Sequence, residues 1–396
     1  MDIAETTRAA LEPVPVAEYR QRVEQLRRRM RAQSLDVVVL TGQANVEYFS
    51  GFDSPFPWSS PSRAMHLAVA LEGEPVGFVP ELLVSTWRST SWVENTVAWE
   101  SPRAGDEGVS ELVAWISALP RRFGRIGLEL GAESRIQTTV EELLMLQQRL
   151  GDWQLADCAA ACRAVRIVKS RHEIERVRRA CTVASDVFDA WTGFVHSGLS
   201  EWAVARRFAA HAFLAGADDV PFIAMRSGAQ AYDSVVTGPS QRVLQRGDVV
   251  TLDTGVRVQG YFCDFNRNIA VGPPHASTLR LHEAMYQATE AALAIARPGS
   301  RACDLYRAQA AALEAHGCRV GKLGRMGHGL GKVLTEWPSN KPDDATELQP
   351  GMVMTIEPAA MREDGRMLVT EENIVITEHG HELLSRRAPR ELPVVG

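Results

Sequence analysis

The arrangement of strand-like and helix-like segments changes abruptly about two fifths of the way along the chain, and this change constrains the fold more than any other feature. Before it, buried strand-like runs such as 36–42 and 125–130 alternate with amphipathic helical stretches such as 139–150. Such alternation is typical of an α/β domain. After it, two helices precede a group of short strands, and the pattern then occurs again. We therefore predict an α/β domain over residues 1–165 and a second domain with duplicated αβ units over residues 166–396.

Strong helix signals open the second domain. Ser170 is a suitable N-cap, and Glu173 three positions later completes a capping box for a helix that continues to about Phe194. Ser200 is the expected cap of the next helix, which reaches Ala215. Further segments with a clear pattern are the helices over 275–296 and 302–316 and the strand-like chain end from 353 to 377.

Composition excludes several classes of protein. With 396 residues, of which 45% are hydrophobic, the chain can bury a sizeable core. Its net charge of −6 and its lack of a basic block argue against nucleic acid as a partner. No apolar run approaches the roughly 20 residues of a membrane helix. The N-terminus carries acids where a secretory signal carries Lys or Arg, so we expect a cytoplasmic protein.

The cysteines give no sign of a metal or disulfide framework. None forms a Cys-x-x-Cys pair, and the four-residue spacing of Cys158 and Cys162 is not followed by a second pair at zinc spacing. We therefore predict buried, reduced thiols. The six are Cys158, Cys162, Cys181, Cys263, Cys303 and Cys318.

Four acids stand at the ends of apolar runs in the second domain. Asp253 and Glu357 each end such a run, Glu371 precedes one, and Asp264 follows Asp253 across a glycine-containing connection that suits a hairpin. An acid beside a buried strand is costly unless it is paired or bound to a metal. A pair of divalent cations would account for all four. His328, which is flanked by glycines, would add a nitrogen ligand.

Five stretches, taken in order, resemble the metal-ligand motifs of the pita-bread hydrolases, the family of methionine aminopeptidase, prolidase, aminopeptidase P and creatinase. Residues 1–165 more loosely resemble the N-terminal domain of the creatinase and prolidase branch. The resemblance thus implies a creatinase-like α/β domain followed by a catalytic pita-bread domain. The five stretches are 251–255, 261–268, 327–331, 355–358 and 370–377.

The same resemblance implies a dinuclear metal site and metal-assisted hydrolysis. Asp264 and Glu371 would bridge two divalent ions, and ligation by Glu372 is the less favoured alternative. Glu357 would accept a proton, and His328 belongs with it in the catalytic centre. Carboxylate-rich ligation favours Mn²⁺ or Fe²⁺, although Co²⁺ and Zn²⁺ also suit such a site. The implied ligands are Asp253, Asp264, His328, Glu357 and Glu371.

The sequence departs from the family where substrate binds. Val236 and Thr335 stand where relatives of the peptidase branch carry histidines, and Asn266 stands where Thr is common. These changes suggest a retained metal centre with a redirected substrate, as in the ectoine hydrolase branch. The lyase branch that acts on dimethylsulfoniopropionate carries an additional Asp where this chain has Gly255, which argues against that activity.

Several residues are candidates for the substrate pocket. Trp337 beside Glu336 would form an aromatic wall for a cationic substrate, or else belong to the core. Arg362 would bind a substrate carboxylate, or else form a surface salt bridge. Tyr232 is a candidate proton donor. The loop 55–58 would cover the partner's site in a homodimer, or else form a local hydrophobic plug.

We therefore expect an enzyme that hydrolyses a C–N bond in a small polar molecule. The bond is that of an amide, a peptide or a cyclic amidine, with Xaa-Pro dipeptides as the default substrate of the family. The alternatives are a metal-dependent lyase acting on a sulfonium or betaine-like substrate, a metal-free creatinase-like amidinohydrolase, and a non-enzymatic binding module.

Overall fold

The computed structural model describes residues 11–54, 64–229, 231–320 and 324–396. Internal contacts divide the chain into two compact units, Pro13–Arg166 and Ile167–Gly396, the second of which includes the described residues up to Glu12. Both units contain helices and sheets, as predicted for an α/β chain. No helix in the described ranges is both long and apolar enough to cross a membrane.

The N-terminal unit is built on a six-stranded mixed sheet with the order β4-β3-β2-β1-β5-β6. The central strand β1 pairs antiparallel with β2 and parallel with β5. Its strands are β1 (Val37–Leu40), β2 (His66–Ala70), β3 (Val76–Pro80), β4 (Thr96–Trp99), β5 (Arg125–Leu128) and β6 (Gln154–Asp157). Its helices are α1 (Val16–Ala32), α2 (Gln43–Ser50), α3 (Val84–Thr90), α4 (Val109–Ser117), α5 (Val140–Leu150) and α6 (Ala159–Arg166).

The central strand is buried on both faces, which explains its continuous apolar sequence. Val37 and Val39 belong to one core cluster, and Val38 and Leu40 belong to another on the opposite side. The helix before it is shorter than the predicted range, because the backbone of Ser34 turns to a positive φ of 55°.

The C-terminal unit contains two pairs of helices and three sheets. The sheet orders are β19-β10-β8-β7, β11-β15-β16 and β13-β12-β14-β17-β18, and β9 pairs with β8. Its helices are α7 (Arg171–Ala190), α8 (Glu201–Leu214), α9 (Ala276–Leu293) and α10 (Ala302–Ala315). Its strands are β7 (Asp219–Ala229), β8 (Asp248–Val258), β9 (Tyr261–Phe262), β10 (Phe265–Val271), β11 (Arg319–Val320), β12 (His328–Gly329), β13 (Glu336–Ser339), β14 (Val353–Ile356), β15 (Ala359–Met361), β16 (Met367–Val369), β17 (Glu372–Ile376), β18 (His381–Leu383) and β19 (Val394–Val395).

The predicted helix caps are present. The Ser170 side chain accepts the backbone N–H of Glu173, and the Glu173 side chain accepts the N–H of Ser170, which completes the capping box of α7. Helix α7 ends at Ala190, four residues before the predicted end, and a short 3₁₀ turn follows it. Ser200 caps α8 by accepting the N–H of Ala203.

Each helix pair covers a sheet, so the duplicated arrangement predicted from the sequence is visible in the packing. Helices α7 and α8 pack against β8 and β10 in one core cluster, and α9 and α10 pack against β15 and β16 in another. The strand-like end of the chain is four strands instead of one run. A turn at Asp364 and Gly365, whose φ is 84°, separates two of them.

All six cysteines are free thiols, as predicted. All but Cys318 are buried.

Candidate metal centre

Two neighbouring strands place Asp253 and Asp264 on one face of a sheet. β8 pairs antiparallel with β10, and Asp253 lies opposite Asn266 in this register. Asp264 immediately precedes β10, two positions before Asn266, and side chains two positions apart on a strand project to the same side. Phe265 between them projects to the other side, where it joins the apolar core. The strand register therefore directs both acids away from the core and towards one another.

A second sheet carries the other ligand candidates. β14 ends immediately before Glu357, and β17 begins immediately after Glu371. The antiparallel register of these two strands places the two glutamates opposite each other. His328 in β12 lies beside Thr355 of β14, and its backbone N–H donates to Thr355 Oγ1 at 3.0 Å. Three chain segments thus present His328, Glu357 and Glu371 at one place.

His328 connects the acids of the two sheets. Its Nε2 lies 3.3 Å from Asp264 Oδ2 and 4.0 Å from Glu371 Oε1. One ligand atom from each of these three buried residues lies within 4.8 Å of the others. The other ring nitrogen, Nδ1, is 2.9 Å from the carbonyl oxygen of Gly329. A backbone partner at Nδ1 fixes the orientation of the ring and keeps Nε2 for a ligand, as is usual for metal-binding histidines.

Burial of four carboxyl groups in one cluster raises the pKa of each. Loss of hydration is the main cause, and it raises the pKa of Asp264 to about 8 and that of Glu357 to about 8. The pKa values of Asp253 and Glu371 rise well above their ordinary range, again through burial first and then through repulsion from Asp264. Without a cation, these groups resist ionisation.

Two oxygens of the cluster show directly what it lacks. Asp253 Oδ1 and Glu371 Oε1 are buried and have no hydrogen-bond donor in the described part of the chain. A buried anionic oxygen without a partner is costly, and a divalent cation would satisfy it. Four carboxylates and one imidazole form a donor set that suits Mn²⁺, Fe²⁺, Co²⁺ or Zn²⁺. The residues present therefore fit the divalent ions that the sequence predicted.

Asn373 holds the two sheets together behind the ligands, and the sequence analysis did not identify it. Its Oδ1 accepts the backbone N–H of Asp264 at 3.0 Å, and its Nδ2 donates to the carbonyl of the same residue. It stands two positions after Glu371, inside a stretch that carried the family resemblance, and this place was the available signal.

Arg325 is a second residue that the sequence analysis missed. Its Nη2 donates to Thr335 Oγ1 at 3.3 Å. The positive charge of its guanidinium lowers the pKa of both Asp264 and Glu357, against the larger effect of burial. The side chain is partly exposed. It had no distinguishing signal, because a lone arginine in a loop is ordinary surface composition.

Tyr232 lies beside the cluster with its hydroxyl engaged by the protein. The backbone N–H of Val369 donates to Tyr232 Oη at 2.6 Å, and this hydroxyl donates to Asn268 Oδ1 at 3.2 Å. Burial raises the pKa of the phenol, and the charges of Asp253 and Glu357 add to this effect. The phenol therefore stays protonated, and its role as a proton donor stays a prediction.

The other predicted pocket residues have protein partners. Glu336 Oε2 lies 3.0 Å from Lys169 Nζ in a buried ion pair. Trp337 Nε1 donates to Thr346 Oγ1 at 3.0 Å. Their part in substrate binding stays a prediction.

Arg362 forms the surface salt bridge that was the alternative to substrate binding. Its guanidinium lies 3.1 Å from Asp364 and donates to Ser277 Oγ at 3.0 Å. The predicted lid loop 55–58 lies outside the described residues.

Family models match both units of the chain. The model of the metallopeptidase family M24 matches residues 175–378, and that of the creatinase/prolidase N-terminal domain matches residues 22–168. The first match includes every residue of the cluster. It spans just over half of the chain.

Individual relatives cover nearly the whole chain. A Xaa-Pro dipeptidase of Pyrococcus horikoshii is 27% identical over 94% of this chain and 98% of its own length. The crystal structure of the prolidase from Pyrococcus horikoshii OT3 superposes with a TM-score of 0.80 at 25% identity, over 94% of this chain and 99% of that one. The structure of dipeptidase PepE from Mycobacterium ulcerans shares the fold with a TM-score of 0.83 at 24% identity, over 97% of this chain and 100% of that one.

Proposed function

Since the chain belongs to the metallopeptidase family M24, in its creatinase and prolidase branch, we propose that it is a dinuclear metal-dependent dipeptidase that hydrolyses Xaa-Pro dipeptides. Membership of the family makes the chain a metal-dependent hydrolase. The finer assignment is supported by the Xaa-Pro dipeptidase and the prolidase to which the chain is similar over nearly its full length.

The observation that carries the proposal is the convergence of four carboxyl groups and one imidazole from two sheets, with two buried oxygens unpaired. Divalent ions held there would polarise the scissile carbonyl and lower the pKa of the attacking water. Asp264 and Glu371 are the proposed bridging ligands, because both are buried and both face His328 Nε2. We expect Mn²⁺ or Fe²⁺ from the excess of oxygen donors.

Glu357 is the proposed proton carrier of the reaction. It is partly exposed, unlike the buried Asp264 and Glu371, and its raised pKa of about 8 allows it to hold a proton near neutral pH. In hydrolysis a water oxygen bonds to the amide carbon, the C–N bond breaks, and a proton from the water goes to the leaving nitrogen. Glu357 would carry this proton from the water to the nitrogen.

The structure gives a physical reason to prefer hydrolysis over the lyase alternative. The lyase branch carries an Asp at the position of Gly255. A Cβ atom there would lie 2.7 Å from both Leu334 Cδ1 and Phe222 Cε1, and 2.8 Å from the carbonyl oxygen of Cys263. Because any side chain at residue 255 meets these neighbours, the position leaves no room for an additional acid.

Metal analysis and product analysis together test the proposal. Protein purified without chelator or added metal should contain about two equivalents of metal per chain by elemental analysis. It should convert glycyl-proline to glycine and proline, and in ¹⁸O-labelled water the label should enter the glycine carboxylate.

Two outcomes would contradict this function. A metal ratio near zero that stays there after incubation with each candidate ion would exclude a dinuclear metallopeptidase. Intact metal with hydrolysis of ectoine, and no cleavage of any Xaa-Pro dipeptide, would instead assign the cyclic amidine substrate.

A further inference from the structure

We infer that Arg325 is a specificity-determining residue that binds the free carboxylate of a dipeptide substrate. This inference rests on the proposed function, since it names the group by which a dipeptide would be recognised.

The backbone next to Arg325 is fixed against the strand that leads to a proposed ligand. The following residue, Met326, accepts the backbone N–H of Glu357 at 3.1 Å and donates its own N–H to the carbonyl of Asn340 at 2.8 Å. The buried side chain of Gln309 also donates to the Met326 carbonyl, at 2.9 Å. Arg325 therefore leaves a well-anchored segment immediately beside Glu357.

The guanidinium of Arg325 has a neutral partner instead of an acid. Its hydrogen bond goes to the hydroxyl of Thr335, and no carboxylate of the described residues lies within 4.0 Å of it in an ion pair. In contrast, the neighbouring cation Lys169 is neutralised by Glu336. The charge of Arg325 is nevertheless felt by Asp264 and Glu357, so it lies close enough to act on a molecule bound there.

The charge balance of the loaded site leaves this cation without a counterion. Four ionised ligands carry four negative charges, two divalent ions carry four positive charges, and a metal-bound histidine is neutral. The site itself then sums to zero, and Arg325 adds one positive charge at its edge. An anionic group of the substrate is the natural complement.

A dipeptide supplies that group at short range. Its C-terminal carboxylate carbon is only two bonds from the nitrogen of the scissile bond, whereas a longer peptide or an amide has a neutral group there. A cation beside the reacting centre therefore selects free dipeptides. Because the carboxylate is the same in substrate and transition state, we expect the contribution to appear in KM.

Substitution of Arg325 combined with removal of the substrate carboxylate tests the inference. For the metal-loaded R325Q variant, we expect KM for glycyl-proline to rise about 10- to 100-fold, the range for loss of one charge-assisted pair. Its KM for glycyl-prolinamide should change less than about threefold, and R325K should recover part of the affinity for glycyl-proline. The matched control is R307Q, because Arg307 is an exposed arginine of α10 that pairs with Asp304. It should leave both substrates unchanged.

A binding measurement separates this inference from the proposed function. Calorimetry should show that L-proline binds the metal-loaded wild type about tenfold more tightly than it binds R325Q, with equal metal content in the two proteins. Wild type that binds proline in this way but cleaves no dipeptide would overturn the proposed function and uphold the carboxylate contact. Equal effects of R325Q on dipeptide and amide, or proline binding that is unchanged in R325Q, would overturn the inference.

Discussion

At the scale of single residues, Glu371 and Glu372 show how neighbours in sequence take different roles. The carboxylate of Glu372 lies within 2.9 Å of Arg267 and 3.0 Å of Arg387, and it also accepts the hydroxyl of Ser385. Glu371 Oε1 has no donor among the residues that the structure describes. The first carboxylate is fully compensated by the protein, and the second needs a cation. Alternation along the strand start sends the two side chains to opposite faces.

Paired substitutions of these two glutamates should separate metal binding from stability. We expect E371Q to lose at least one of two metal equivalents and to lower kcat at least 100-fold, with little loss of stability in the metal-free protein. E372Q should keep its metal but lose about 3–5 kcal/mol of stability, because it leaves two buried arginines poorly compensated. Elemental analysis and urea unfolding of both chelated variants measure the two effects. Metal loss in E372Q but not in E371Q would exchange the two assignments.

At the scale of elements, the approach of β12 to β14 depends on one glycine. Gly327 has a φ of 123°, and a Cβ atom there would lie 2.2 Å from the carbonyl oxygen of Thr355. This contact places the neighbouring His328 against Thr355, so the position of a ligand depends on the absence of a side chain next to it. Gly324 has a similarly positive φ of 84°, but a Cβ atom at this residue would meet nothing within 4 Å.

Alanine at these two glycines should therefore have unequal effects. G324A should cost only the backbone strain, about 1–2 kcal/mol. G327A adds a clash with backbone that cannot move aside, so we expect a loss of more than about 3 kcal/mol together with weaker metal binding. Thermal unfolding and metal titration of the two variants measure this difference. Equal losses would show that β12 adjusts freely and that His328 is not held by this contact.

At the scale of the whole molecule, the two units bury different titratable groups. The C-terminal unit buries acids that await a cation. The N-terminal unit contains His66, the only histidine before residue 167. Its ring stacks on Trp99 with a centroid separation of 6.4 Å, and neither ring nitrogen has a hydrogen-bond partner in the described ranges. Burial lowers the pKa of His66 to about 4.

Acid should therefore destabilise the N-terminal unit through His66. Between about pH 6.5 and pH 4 the unfolded histidine binds a proton and the folded one does not, so stability is retained above pH 6.5 and lost as the pH falls. The loss should approach about 3 kcal/mol at pH 4. Urea unfolding from pH 7 to pH 4 should show a flatter dependence for H66L than for wild type. V69A, a core substitution in the same strand, should lower stability equally at every pH. An unchanged slope in H66L would mean that His66 is already protonated in the fold.

Features with local causes were predicted well from the sequence. The capping box at Ser170 and Glu173 and the buried run 37–40 depend on residues within a few positions of one another, and both are present. The acids were recognised because an ordered set of motifs is more informative than any single acid.

The remaining site features depend on contacts between distant segments. The pairing of Glu336 with Lys169 joins residues far apart in the chain, and so does the bond between Asn373 and Asp264. No periodicity or spacing signals such contacts. The same applies to Arg325, whose significance arises only from its distance to acids on other strands.

The cross-connection made by Asn373 also bears on the order of folding. Asp253 and Glu371 stand nearly a third of the chain apart, and they come together only when both sheets are complete and joined. Loop-closure entropy makes such distant pairings late events. A nascent chain that has not yet released its last strands therefore cannot capture the ion tightly. Metal uptake would then report that synthesis and folding of this unit are finished.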